Sequence, residues 1–379
     1  MLMKREENIT MKKLISLLLV LSLALCAVSF AAADETEYRV AMITDYGDIT
    51  DQSFNQTTYE ACKAFCEANG IKFNYYKPTG DSTAERVAKV DAAVEDGYNV
   101  IVMPGFAFGA TIAEVQDVYP DVKFIALDVS AGDLGDGVKV GSNVYCAVYQ
   151  EELCGYMAGY AAVKLGYKHL GFLGGMAVPA VVRYGYGFVQ GADAAAKEIG
   201  ATDVKVEYGY GNQFYGDADI TAVMDTWYQT LGVQVVFACG GAIYTSAAEA
   251  AVKVEGAKVI GVDVDQAGLI DSTYGKGLTV TSAMKGLAAT VNTLLTETLK
   301  GNFANYGGKV ETLGLVSGED ASLNYVGLPE STQWADSFTK DDYNKMVAAM
   351  FNGEITVSNA IDAEPAVTAV TVEYHGNVK

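Results

Sequence analysis

Apolar, β-rich runs of five to seven residues recur along the chain, at 38–44, 71–76, 99–103, 122–127, 169–173, 204–208, 233–238, 258–262 and 278–282. Between them lie helix-length segments rich in Ala, Glu, Lys and Leu. Strands alternating with helices predict βαβ units and parallel sheets, an α/β fold. Two runs, Val100-Ile101-Val102-Met103 and Val235-Val236-Phe237-Ala238, are apolar throughout, as expected of strands covered by helices on both faces. The alternation restarts near residue 147. Segment 132–142 is rich in Gly and Asp and predicts no helix; 149–165 predicts a long helix, and Lys168-His169-Leu170-Gly171-Phe172 a fresh strand. Two units of similar rhythm read as two lobes. The expected boundaries are 34–146 with 283–310 for the first and 147–282 with 311–379 for the second. Residue 334 and the stretch 341–353 predict a further helix packed on a lobe; the residues beyond 364 carry no clear role.

The N-terminus stands apart. Met11-Lys12-Lys13 precedes an almost unbroken apolar run from Leu14 to Phe30, then Ala31-Ala32-Ala33 and the acidic Asp34-Glu35. This is the layout of a secretory signal peptide over 1–33 with an A-x-A cleavage site. A single-pass anchor is the competing reading, with a run at the short limit for spanning a bilayer. Cys26 follows Leu23-Ala24-Leu25, whereas a lipoprotein signal wants a small residue before its cysteine. Export to an extracytoplasmic place follows, with lipid attachment through Cys26 as the open alternative.

The chain has 379 residues, enough for two lobes with real cores. Without the first 33 residues it carries 22 basic and 45 acidic side chains, a net charge near −23. Such a surface repels phosphates and argues against nucleic-acid binding. Five cysteines remain, Cys62, Cys66, Cys146, Cys154 and Cys239. An odd number in an exported chain is no disulfide framework, and small buried side chains are the plain reading.

A ligand is expected in the cleft between lobes, at the carboxyl ends of the strands. The polar residues there are Asp45, Asp128, Gly240-Gly241, Asp263 and Lys285. After the first strand the loop 44–52 leads into a helix that Asp51 or Ser53 can cap. Phe54 and Asn55 fall in its first turn. An aromatic face beside an amide and a carboxylate suits a purine, and an ordinary capped helix with a buried Phe is the plainer alternative. Asp45, Asp48 and Asp51 are spaced by three, unlike a calcium loop, so no metal is expected. Asp128 and Asp263 can each accept two hydrogen bonds from a vicinal diol or cap the next helix; Lys285 can pair with one of them. Gly174-Gly175 and Gly240-Gly241 read as tight turns that let backbone approach a ligand. Neither belongs to a phosphate-loop pattern, and no cofactor is expected. With two His in the chain, His169 in a strand and His375 in the tail, no nucleophilic triad is placed.

Several of these stretches resemble the basic membrane protein (BMP) family of purine-nucleoside-binding proteins of ABC importers. Asp51-Gln52-Ser53-Phe54-Asn55-Gln56 is similar to the family's D-D-x-S-F-N-Q, with Thr50 for the first aspartate. Tyr119-Pro120-Asp121-Val122-Lys123-Phe124 leads to Asp128. Gly174-Gly175 with Pro179, then Gly187-Phe188, follow in order. Ile260-Gly261-Val262-Asp263-Val264-Asp265-Gln266 matches I-G-V-D-x-D-Q throughout, and Thr281-Ser282 with Lys285 completes the series. The resemblance spans roughly 38–330. It implies a type I periplasmic-binding fold and a purine nucleoside ligand (adenosine, guanosine or inosine) handed to an ABC permease. It further implies that Phe54 stacks on the base, that Asp45 and Asn55 make polar contacts, that Asp128 lies on the cleft wall, and that Asp263 and Lys285 hold the ribose. The family's second aromatic lies in a G-S-F-x-D stretch, which is distorted here to Gly211-Asn212-Gln213-Phe214-Tyr215-Gly216-Asp217. Phe214 is the counterpart expected, with Tyr210 behind it. A monomeric binding protein is expected rather than an enzyme. The alternatives are the same fold holding a sugar or furanose signal, and a nucleoside-cleaving hydrolase.

Overall fold

The apolar strands fold into two parallel sheets. The computed structural model describes residues 37–379; the expected signal peptide and Cys26 lie outside the described residues. The first sheet has the order β11-β5-β4-β3-β1-β2, where β1 is Arg39–Ile43, β2 Lys72–Tyr76, β3 Val100–Pro104, β4 Lys123–Leu127, β5 Val144–Tyr149 and β11 Lys309–Leu313. The second is β12-β10-β9-β8-β6-β7-β13, with β6 His169–Gly174, β7 Val204–Tyr210, β8 Val235–Cys239, β9 Lys258–Asp263, β10 Thr279–Lys285, β12 Val326–Gly327 and β13 Val370–Asn377. Every pairing is parallel except β10 with β12. Within each sheet the first five strands run in the same spatial order, second-first-third-fourth-fifth. The restart read near residue 147 is this repeat. β3 and β8 are buried along their whole length, because helices cover both faces.

The expected lobe boundaries at 146, 282 and 310 fall inside β5, β10 and β11. The strands run on to their carboxyl ends, at Tyr149, Lys285 and Leu313, before the chain passes to the other sheet. Segment 132–142 is not wholly without helix, since Ala131–Leu134 forms a 3-10 turn capped reciprocally by Ser130 and Asp133. The helix expected over 341–353 is Lys340–Phe351, while Trp334 lies ahead of it, its ring 5.5 Å from that of Tyr343. The tail beyond 364, without a role in the sequence pattern, forms β13 from Val370 to Asn377.

Ten α-helices connect the strands of residues 37–379, and three position the cleft. α1 (Phe54–Asn69) follows β1. α4 (Glu151–Lys164) and α5 (Pro179–Ile199) flank β6 and pack on each other through glycines. A Cβ at Gly155 would sit 2.2 Å from the carbonyl oxygen of Tyr184, and one at Gly159 2.0 Å from that of Phe188. From the other side, Cβ atoms at Gly187 and Gly191 would lie 2.2 and 2.0 Å from the carbonyl oxygens of Glu152 and Tyr156. Two small-residue ridges thus bring the helix backbones into contact. That proximity sets Glu151, at the start of α4, beside Arg183 of α5.

A candidate ligand-binding cleft

In open parallel sheets, ligands sit beyond the carboxyl strand ends, where the strand order reverses. In both sheets the reversal lies between the first and third strands. The loops after β1, β3, β6 and β8 come together there around a cavity of about 400 Å3. That lies within the roughly 300–1,000 Å3 of small-molecule sites. All eight residues expected from the sequence line it: Asp45, Phe54, Asn55, Asp128, Phe214, Gly240, Asp263 and Lys285.

The three aspartates of the first loop take separate tasks. Asp45 accepts hydrogen bonds from the backbone N–H groups of Tyr46 (2.7 Å) and Gly47 (2.6 Å) and from Asn55 Nδ2 (3.2 Å). Burial raises its pKa above the usual carboxylate range in spite of these donors. Asp48, at the surface, pairs with Lys77. Asp51 is the helix cap: its carboxylate accepts from the N–H groups of Ser53 (2.9 Å), Asn55 (2.9 Å) and Gln56 (3.0 Å), the free donors of a helix start. Ser53 is thereby released. Its hydroxyl donates across the cleft to Asp263 Oδ2 at 2.5 Å. Asn55 is 4% exposed and faces Asp45 and Asp51 as well as the cavity.

Asp128 and Asp263 occupy equivalent places, at the end of the fourth strand of each repeat. Both have left-handed backbones, with φ of 61° and 64°. Only Asp, Asn and Gly enter that region readily, and such positions gather at functional sites. Between them stands Lys285, at the end of the fifth strand of the second repeat. Its Nζ lies 2.6 Å from Asp128 Oδ2, 3.5 Å from Glu151 Oε1 and 3.7 Å from Asp263 Oδ1. It also sits over the Phe54 ring, 4.8 Å from the centroid. Burial alone would lower the pKa of this amine; the three carboxylates outweigh it and hold the ammonium above its ordinary pKa. Arg183 Nε closes the network on Glu151 Oε2 at 2.7 Å. Of the two carboxylates open to Lys285 in the sequence reading, Asp128 is its hydrogen-bond partner.

The glycine pairs border the aromatic wall of the cavity. A Cβ on Gly175 would lie 2.3 Å from Phe214 Cδ1, and one on Gly240 2.7 Å from the same atom. Gly175 and Gly240 thus make room for an aromatic ring, and Gly240 and Gly241 also line the cavity. The Phe214 carbonyl, held by the N–H of Ala242 at 2.9 Å, fixes the loop. Tyr46 faces Phe214 with ring centroids 6.4 Å apart, and its hydroxyl meets Met176 Sδ at 3.2 Å. Tyr210, the second choice for the aromatic wall, instead bonds the hydroxyl of Tyr208 at 2.9 Å.

Sequence reasoning missed Tyr46, Glu151 and Arg183. The signal for the last two was present: a charge pair at the head of a helix that is otherwise small and apolar, and one arginine in a helix of Val, Tyr and Gly. Nothing local marks Tyr46, which matters only once the second lobe stands opposite.

Residues 38–360 match the family described as Bmp, the ABC transporter substrate-binding proteins of PnrA-like type. The chain belongs to this family. The resemblance read from 51–56 and 260–266 is borne out. Among Bmp relatives, the ABC transporter nucleoside-binding protein BmpA of Lactococcus lactis is 26% identical over 339 residues, 85% of this chain and 90% of its own. Basic membrane protein B of Borreliella burgdorferi is 26% identical over 311 residues, 78% of this chain and 82% of its own. An ABC transporter solute-binding protein from Aeropyrum pernix superimposes with a TM-score of 0.65 at 21% identity, over 84% of this chain and 87% of its own. The fold is that of the type I periplasmic solute-binding proteins. As a Bmp protein the chain is an ABC transporter substrate-binding protein of an extracytoplasmic, non-enzymatic family. Among the described residues, no helix is long and apolar enough to cross a membrane.

Proposed function

We propose that the cleft captures a purine nucleoside of the adenosine, guanosine or inosine type and that the lobes close on it and present it to an ABC permease. In this reading Phe54 and Phe214 bracket the base. Asp128, Asp263 and Lys285 take the ribose hydroxyls, Asp45 and Asn55 make further polar contacts, and Gly240 lines the wall. One observation carries it. Asp128 Oδ1 and Asn55 Oδ1 both belong to cavity-lining residues and are buried without a hydrogen-bond partner, beside two phenyl rings. Buried acceptors left unmet cost free energy. A flat ligand edged with hydroxyl and amino donors satisfies them, and the rings cover its faces. The name of the Lactococcus relative supports the same ligand class.

Closure is a hinge motion about the three interlobe crossings. Ser53 with Asp263, Gln266 Nε2 with the carbonyl of Gln52 (3.1 Å) and Tyr46 with Met176 are the contacts that close the gap. A thermal-shift screen of nucleosides, free bases and pentoses tests the reading through mass action on the folded state. Stabilisation by purine nucleosides alone is expected. Stabilisation by pentoses alone would replace the nucleoside with a sugar. Release of free base in the same mixtures, followed by chromatography, would make the protein a hydrolase.

A further inference from the structure

The matched family residues stop at 360, yet the chain goes on to build one more strand. Its approach is anchored on α5. Gln190 exchanges hydrogen bonds with the backbone of Ser358, at 2.9 and 3.0 Å. Asp193, 5% exposed, accepts from the N–H groups of Thr368 (2.8 Å), Ala369 (2.6 Å) and Val370 (3.3 Å). β13 then runs parallel to β7 with one irregularity between Tyr374 and Gly376, which leaves His375 outside the ladder register. That bulge turns His375 onto Glu207 of β7, at 2.6 Å. The same carboxylate holds His169 of β6 at 2.8 Å. Glu207 is 5% exposed, so the two histidines of the chain clasp one buried carboxylate from either side. On the other side of the strand pair Tyr374 packs on Tyr208, with ring centroids 5.1 Å apart.

The end of the strap reaches the cleft loop. The N–H of Val378 donates to the carbonyl of Tyr210 at 2.8 Å. Lys379 Nζ donates to Gln213 Oε1 at 3.1 Å and is paired with Asp217. Gln213 Nε2 in turn holds the carbonyl of Tyr215 and the carboxylate of Asp217, both at 2.9 Å, and Asp217 caps the next helix (Ala218–Asp225). The residues fixed are those on either side of Phe214.

We propose that residues 358–379 are a positioning strap for the Phe214 loop, with the His169–Glu207–His375 clasp and Lys379 as its two fastenings. The strap touches no ligand. It narrows the set of loop conformations from which Phe214 closes the cleft, which lowers the ordering cost of binding. Its effect on affinity rests on the nucleoside reading; its effect on the loop does not.

The test is hydrogen exchange on the ligand-free full chain, comparing wild type with Lys379→Ala, the double variant His375→Ala/Lys379→Ala, and Lys379→Arg. The amides of 211–217 are expected to exchange about ten-fold faster in the double variant, through local opening, with β3 and β8 unchanged. Lys379→Arg is expected to restore protection relative to Lys379→Ala. Adenosine titration by calorimetry should then show weaker binding in step with the lost protection. Unchanged exchange at 211–217 would overturn the proposal. So would an equal rise throughout the second sheet, because the strap would then serve the lobe rather than the loop. If adenosine, guanosine and inosine all fail to bind wild type, the nucleoside reading falls while the exchange result still decides the strap.

Discussion

Lys285 and Asp128 stand at strand ends of different sheets, and their Nζ and Oδ2 atoms lie 2.6 Å apart. The Lys285 side chain is 3% exposed and its ammonium meets Glu151 and Asp263 as well, so one cation holds three carboxylates where the lobes join. Removing it leaves like charges buried together. Lys285→Met is expected to cost about 3–5 kcal/mol, the usual loss when one partner of a buried ion pair is taken away. Chemical denaturation monitored by circular dichroism measures it.

Phe54 and Asp263 divide the proposed work between stacking and hydrogen bonding. Hydrogen bonds to a charged group contribute roughly 1.5–3 kcal/mol. Asp263→Ala is therefore expected to weaken purine nucleoside binding by about ten- to a hundred-fold, and Phe54→Ala, which removes base stacking of about 1–3 kcal/mol, by a similar factor. Isothermal calorimetry with adenosine, guanosine and inosine reads the change. Unaltered binding of all three in both variants would remove these residues from the site.

Glu152 neighbours Glu151 at the start of α4. Burial, reinforced by the charge of Glu151, pushes its carboxyl up from 4.5 to about 7. A carboxyl whose pKa is raised by folding binds its proton more tightly in the native state, so stability is lost as pH climbs from 4.5 through 7 and is level above that. Glu152→Gln mimics the protonated form. The variant is expected to exceed wild type by about 2–3 kcal/mol at pH 8 and to lose that advantage near pH 4.5. Melting temperatures across that range test it; a gap independent of pH would contradict the burial argument.

The α4–α5 contact leaves no space for a methyl group. Alanine is the better helix former by about 1 kcal/mol. Gly159→Ala is nonetheless expected to destabilise by about 1–3 kcal/mol, because its Cβ meets the Phe188 carbonyl and the helices must part. An outward shift of α4 also moves Glu151 from Lys285, so weaker ligand binding should accompany the lower stability.

Much of this was legible in the chain. The apolar runs mark nine of the thirteen strands among the described residues, and the five polar strand-end positions all reached the cavity, because a parallel sheet puts every carboxyl end on one edge. β5, β11, β12 and β13 escaped. β5, apolar throughout, ends at Tyr149, where the expected helix begins, and β11 and β13 are edge strands with mostly exposed, polar side chains. Asp51 rather than Ser53 caps α1 for a tertiary reason: only the opposite lobe supplies Asp263 as a better partner for the serine.

The amino-acid sequence determined the strand–helix alternation, the repeat of two lobes and the kinds of residue that end the strands. These depend on periodicity and turn chemistry, which act over a few residues. Tertiary structure decided how those residues pair. That Lys285 belongs to Asp128, that Gly175 and Gly240 cradle Phe214, and that His375 shares Glu207 with His169 depend on chain segments up to two hundred residues apart. No local pattern encodes such contacts, since the energy that selects them exists only when both sheets are in place.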